Sequence, residues 1–183
     1  EELAHLFDSP KCGHIYSRIS NPTVAAFEEK VAMLEGGIGA MACSSGMSAT
    51  MFAVLTVATA GDNILSLSTI YGGTYNLFNV TLKKLGIEVR FITPDMTEEQ
   101  IEKLIDDKTK MLFAETIANP SIVVLNFDFY SNICHKHGLP FVVDNTLATP
   151  ILVRPFEHGA DIVEYNLARI VVMKKLSDLS CLI

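Results

Sequence analysis

The chain has 183 residues, 49% of them hydrophobic and 19% charged, which is enough apolar content to bury one domain's core with an arm besides. Its formal charge of −7, from 14 basic and 21 acidic residues, excludes a general nucleic-acid binder, because polyanion binding asks for a Lys/Arg-rich face. No apolar run is long enough to span a bilayer and no signal peptide opens the sequence. Cys12, Cys43, Cys134 and Cys181 are too far apart for a paired metal motif and point to free thiols in a reducing cytoplasm. The first residue is Glu1 rather than Met, which raises the reading of a piece of a longer chain.

In chain order, residues 1–20 lack periodicity and read as an arm lying on another surface. Asn21-Pro22 then reads as an N-cap and first-turn proline, with Val24, Phe27, Val31 and Leu34 at helical spacing and Gly36-Gly37 as the stop. Residues 40–44 are a candidate strand leading into Ser45-Gly46, after which Met47, Met51, Val54 and Leu55 mark a helix. Residues 64–67, 89–93, 111–115, 141–144 and 162–165 are short, branched and strand-like. Helical patterns lie between several of them. One holds Leu77, Phe78, Leu82 and Leu85, one begins at Thr97 with Gln100 in capping-box spacing, and one runs from near Asp128 to Gly138. This alternation implies parallel strands joined by crossover helices, so an α/β domain with helices on both faces of the sheet is expected.

Three places could carry chemistry. Ser44-Ser45-Gly46-Met47-Ser48 joins a strand to a helix, where free N–H groups and a glycine suit either an ordinary cap or an anion cradle. Asp144 ends the run Phe141-Val142-Val143, at the strand edge where open parallel sheets bind ligands; it reads as a turn cap or as an acid for a protonated ring nitrogen. Tyr71-Gly72-Gly73 follows another strand at that edge, as a plain turn or an aromatic platform. Gly36-Gly37-Ile38-Gly39 follows a helix instead of a strand and so fails the context of a dinucleotide fingerprint. His135 and His137 are two apart, do not share a helix face and make a poor metal pair.

Taken together, Tyr16-Ser17-Arg18-Ile19-Ser20-Asn21-Pro22-Thr23, Leu34-Glu35-Gly36-Gly37, Ser44-Ser45-Gly46-Met47, Tyr71-Gly72-Gly73-Thr74-Tyr75, Asn119-Pro120, Val142-Val143-Asp144-Asn145-Thr146 and Gly159-Ala160-Asp161-Ile162-Val163 occur in one order. The set resembles the Cys/Met-metabolism pyridoxal-phosphate (PLP) enzymes. That resemblance implies an aspartate-aminotransferase-type (fold type I) PLP large domain, a mostly parallel sheet with helices on both faces, and a C-terminal domain absent from this chain. It divides the chain into an arm over 1–20 contacting a neighbouring subunit, a PLP-binding domain over 21–163, and a divergent tail over 164–183.

The resemblance also implies roles. Gly46 and Met47 would hold the phosphate of pyridoxal 5'-phosphate through backbone N–H groups. Tyr16 and Arg18 would reach the cofactor of a neighbouring subunit in a homo-oligomer, a dimer of dimers. Tyr71 would stack on the ring and handle protons as the catalytic residue. Asn119 would bond the phenolic oxygen, Asp144 the ring nitrogen, and Thr146 completes the cofactor-binding set; Glu115 lies near the site without a definite role.

Tyr71-Gly72-Gly73-Thr74-Tyr75-Asn76-Leu77-Phe78 most resembles the O-acetylhomoserine sulfhydrylases, which exchange the acetoxy group of O-acetylhomoserine for sulfide or a thiol to give homocysteine or methionine. Methionine γ-lyase, cystathionine γ-synthase or lyase, and a non-catalytic PLP-binding or assembly homologue are the alternatives. The match breaks after Val163. The Schiff-base lysine position holds Arg169, whose guanidinium stays protonated, and the phosphate-binding serine and threonine positions hold Asn166 and Ala168. Lys174 lies five residues on, about 16 Å in extended chain, so rescue by Lys174 or Lys175 is not expected. The chain as written is expected to be inactive, either as a degenerate relative or because the sequence after Val163 is not the true continuation.

Overall fold

The computed structural model describes Ser17 and residues 21–174; Tyr16, Arg18 and Lys175, and with them most of the expected arm, lie outside the described residues. Helix α1 (Pro22–Glu35) starts where Asn21, in extended backbone, accepts the N–H groups of Thr23 and Val24 at 2.9 and 3.3 Å. Pro22 sits in the first turn, where its missing N–H costs nothing. The helix stops at Gly36, whose φ of 74° is the left-handed value that favours glycine. Of the stripe, Val24, Phe27 and Leu34 stay exposed while Val31 packs partly against the core; Ala32 and Glu35 are buried, and Glu28 Oε1 accepts the Ala42 N–H at 2.7 Å.

The chain continues through β1 (Gly39–Ala42), α2 (Gly46–Val57), β2 (Asn63–Leu67) and α3 (Gly72–Asn76), which widens into a π-helical stretch over Leu77–Leu82. That stretch buries Phe78 and Leu82, with the Phe78 ring edge-on to Phe113 at 5.0 Å between centroids, and leaves Leu85 exposed. Strand β3 (Glu88–Ile92) leads to α4 (Glu98–Glu102), whose capping box is complete: Thr97 and Gln100 accept each other's backbone N–H. Then come β4 (Thr109–Glu115), α5 (Phe127–Lys136), β5 (Phe141–Asp144), α6 (Thr149–Leu152), a 3₁₀ turn at Pro155–His158, β6 (Ile162–Tyr165) and β7 (Ile170–Met173).

The strands form one sheet in the order β1-β7-β6-β5-β4-β2-β3. Strands β2 to β6 are parallel, as crossover helices require, and β7 runs antiparallel to both β6 and β1. The exception has a simple cause. Asn166–Arg169 forms a tight turn, and a turn that short can only reverse the chain.

Strand β6 runs on past Val163 to Tyr165, and the residues that follow supply β7, which closes the sheet onto β1. The return also fixes Lys174, whose N–H donates to the Asp161 carbonyl at 3.1 Å. That places it at the amino end of β6, across the sheet from Asp144.

Gly37 is the close point between the α1–β1 connection and β7. A Cβ there would lie 2.6 Å from Val172 Cγ1 and 2.8 Å from the Met173 carbonyl oxygen, so Gly37 serves packing. Gly37→Ala should lower stability by about 1–3 kcal/mol, the usual cost of overpacking, measurable as a lowered midpoint of thermal unfolding.

Candidate active site

The chain places β3 on one side of β2 and β4 on the other, so the order reverses between β2 and β4, the kind of switch point where open parallel sheets hold ligands at their carboxyl edge. Tyr71 leaves β2 at this edge and Glu115 ends β4. The Tyr71 N–H donates to Glu115 Oε1 at 2.7 Å, and the Asn119 N–H to Glu115 Oε2 at 3.3 Å. One carboxyl thus clamps both loops over the switch point. Between them opens a cavity of about 300 Å³ lined by Tyr71, Asn119, Asp144 and Thr146, with Asn166 and Leu167 from the β6–β7 turn. The Tyr71 ring lies over Gly73: a Cβ on that glycine would be 2.5 Å from Tyr71 Cε1.

Three strands that meet here carry an acid at or next to their last residue. Glu115 pairs in register with Asp144, and Asp144 with Glu164. Residues in register on parallel neighbours point to the same side, so the carboxyls form a row. Asp144 Oδ1 accepts the Thr146 N–H at 2.8 Å, and Thr146 Oγ1 accepts the Asn166 N–H at 2.7 Å. Burial raises the pKa of Asp144. Burial also pushes Glu115 up to about 7, opposed by the Tyr71 N–H and reinforced by the neighbouring Asp144 charge.

A second polar layer lies beneath. Asn145 is fully buried; its Nδ2 lies 3.0 Å from the Val153 carbonyl, 3.1 Å from Tyr165 Oη and 3.3 Å from Glu35 Oε1, while its Oδ1 accepts Thr116 Oγ1–H at 2.8 Å. Burial pushes Glu35 up to about 7 against the Asn145 hydrogen bond.

The other end of the site is the start of α2. Ser45 caps it by accepting the Ser48 N–H at 3.1 Å. The first-turn N–H groups of Gly46 and Met47 have no acceptor within the helix. Asn166 packs on Gly46 so closely that a Cβ there would collide with its carboxamide and carbonyl. Its Nδ2 is buried with no partner among the described residues. Arg169 takes φ 56°, a left-handed value costing a non-glycine residue about 1–2 kcal/mol. Its Nη1 donates to the Ser44 carbonyl at 3.3 Å, so the guanidinium sits beside the strand–helix junction.

Of the residues singled out from sequence, Tyr71, Asn119, Asp144 and Thr146 meet at the cavity, while Gly46 and Met47 start α2 and Tyr16 and Arg18 lie outside the described residues. His135 and His137 turn to separate acids, Asp161 at 3.2 Å and Glu102 at 2.9 Å, and no metal-binding group occurs among the described residues. Sequence reasoning gave Glu115 no role and overlooked Glu35, Asn145 and Glu164. The available signal was three short runs, Phe113-Ala114-Glu115, Val142-Val143-Asp144 and Ile162-Val163-Glu164, in each of which two apolar residues lead into an acid.

The buried acids set a pH dependence. With Glu35 at about 7 folded and near 4.3 unfolded, the folded state holds more protons between these values. Stability is therefore greatest below that window and falls as pH rises through it, by at most about 1.4 kcal/mol per pH unit per group. Glu35→Gln should flatten the fall between pH 4.5 and 7 in thermal unfolding of the ligand-free chain.

Residues 1–170 match the family model of the Cys/Met metabolism PLP-dependent enzymes. The homocysteine/cysteine synthase of Kluyveromyces lactis is 50% identical over 164 residues, 89% of this chain and 37% of the relative. The O-acetyl-L-homoserine sulfhydrylase of Leptospira meyeri is 44% identical over 170 residues, 92% of this chain and 38% of the relative. A crystal structure of a putative O-acetylhomoserine (thiol)-lyase from Campylobacter jejuni, containing N'-pyridoxyl-lysine-5'-monophosphate, superposes with a TM-score of 0.89 at 35% identity, over 97% of this chain and 47% of that one. The chain thus spans less than half the length of these relatives. With the family model covering nearly all of it and relatives 44–50% identical over about nine-tenths of it, the chain belongs to the Cys/Met metabolism PLP-dependent enzyme family.

Proposed function

We propose that this chain is the cofactor-binding part of an O-acetylhomoserine sulfhydrylase, and that with Arg169 at the lysine position it holds pyridoxal 5'-phosphate without a covalent bond. The observation that carries the proposal is a single cavity with a buried acid, Asp144, and a stacking platform, Tyr71, near a helix start carrying free N–H groups. The residues fit the group. The orphaned Asn166 Nδ2 and the first N–H groups of α2 suit a phosphate, and the Arg169 guanidinium adds positive charge at the same junction.

When bound, the cofactor supplies an electron-withdrawing ring. The chain's residues do the rest. Gly46 and Met47 hold the phosphate, Asp144 keeps a proton on the ring nitrogen, Asn119 orients the phenolic oxygen, and Tyr71 stacks on the ring and moves protons through its hydroxyl. The parent activity is replacement of the acetoxy group of O-acetylhomoserine by sulfide or a thiol, giving homocysteine or methionine. A homo-oligomer in which Tyr16 and Arg18 reach the phosphate of a neighbouring subunit, working in the cytoplasm, belongs to the same proposal. The placement of Lys174 at the opposite edge of the sheet supports the non-covalent reading, and this chain by itself should not turn over.

Titration with pyridoxal 5'-phosphate, followed by absorbance, should reach one equivalent. Asp144→Ala should weaken binding about tenfold or more, the loss of one charge-assisted hydrogen bond. Intact mass after borohydride should show no stoichiometric attachment to a single lysine, and sulfide with O-acetylhomoserine should give no product. A mass gain of one reduced cofactor on one lysine would sink the non-covalent reading.

A further inference from the structure

Glu164 has no part in the roles above, yet it is fully buried. It stands in register beside Asp144 on the neighbouring parallel strand, so the two side chains project to the same side of the sheet as neighbours. Its Oε1 accepts the Thr50 hydroxyl at 2.8 Å, and its Oε2 is buried with no donor. Among the described residues, nothing cationic packs against it. Helix α2 brings Thr50 and no charged residue, and β7 is wholly apolar. Arg169 donates to the Ser44 carbonyl. Among the described residues, the titratable groups that face Glu164 are Asp144, Glu115 and Cys43, and none is a cation.

Two adjacent carboxylates in a dry site cannot both carry charge. A proton on one supplies the donor that the other lacks, as in paired acids that titrate as a unit. We propose that Glu164 and Asp144 hold one proton between them, Glu164 as the acid and Asp144 as the acceptor, which makes Glu164 a positioning residue for Asp144. The pair then carries one negative charge, on the member that lines the cavity, and Asp144 is fixed from one side by Thr146 and from the other by Glu164. The site therefore favours a ligand bearing one positive charge opposite Asp144. The identity of that ligand as a protonated ring nitrogen rests on the cofactor reading above, whereas the shared proton does not.

The test uses the ligand-free chain labelled with ¹³C at the glutamate side-chain carboxyls. The resonance missing in Glu164→Gln identifies Glu164. It should still report a protonated acid at pH 7, and in Asp144→Asn it should lose its proton at lower pH, since the neighbouring negative charge is gone. A Glu164 resonance that is already ionised at pH 7, or that titrates identically in Asp144→Asn, overturns the proposal. If Glu164→Gln does not fold, the wild-type and Asp144→Asn chains still decide it through the infrared band of a protonated carboxyl: persistence at pH 7 with loss at lower pH in Asp144→Asn supports the pair, and identical titration overturns it.

With pyridoxal 5'-phosphate, Glu164→Gln, which keeps a donor to Asp144, should retain affinity within about threefold, and Glu164→Leu should lose about tenfold. Equal affinity in both variants would contradict the positioning role. Absence of any binding by the wild-type chain would instead count against the cofactor reading, leaving the carboxyl titration to judge the shared proton.

Discussion

Parallel strands in register set residues of the same step side by side, and at the carboxyl edge of this sheet that rule brings Glu115, Asp144 and Glu164 into one row. Charged groups pressed together away from water are costly unless hydrogen bonds, protons or cations answer them. Much of the surrounding structure can be understood as that answer. The N–H groups of Tyr71 and Asn119 converge on Glu115, Thr146 folds back onto Asp144, and Thr50 reaches across from α2 to Glu164. Each bond also anchors a segment that borders the cavity. The same contacts that satisfy the acids therefore shape the site.

The layer beneath explains why the row stays put. Asn145 follows Asp144 directly and ties α1, β4 and β6 together through Glu35, Thr116 and Tyr165. A backbone held on both sides of Asp144 leaves its carboxyl little freedom, which is what recognition of a flat cationic ring requires. The β6–β7 turn then closes one end of the cavity with Asn166 and Leu167 while directing Arg169 toward the helix start. Sheet, turn and helix start thus place negative charge at one end of the site and donors at the other, matching a ligand with a cationic ring and an anionic phosphate.

Much of this was legible in the sequence. Asn21-Pro22, Gly36 and Thr97 with Gln100 marked helix ends through capping chemistry that is local, and the structure shows each cap formed. Phe141–Asp144 and Ile162–Tyr165 stood out as strands because both are short branched runs buried on both faces. The stripe on α1 marked the packed face only in part, since Val31 packs against the core while Val24, Phe27 and Leu34 stay exposed. Strand β7 was hidden for a different reason: Ile170–Met173 lies where the family motifs end, and only the Asn166–Arg169 turn makes it a strand. The pairing of Glu164 with Asp144 depends on register between strands about twenty residues apart, and no local pattern encodes it.

The most direct test of the central claim is a crystal structure of the chain with pyridoxal 5'-phosphate. The account predicts density with the phosphate against the Gly46 and Met47 N–H groups and Asn166 Nδ2, the ring beneath Tyr71, the ring nitrogen on Asp144, and no bond to any lysine. A cofactor lying elsewhere, or with its phosphate directed toward the row of acids, would contradict it.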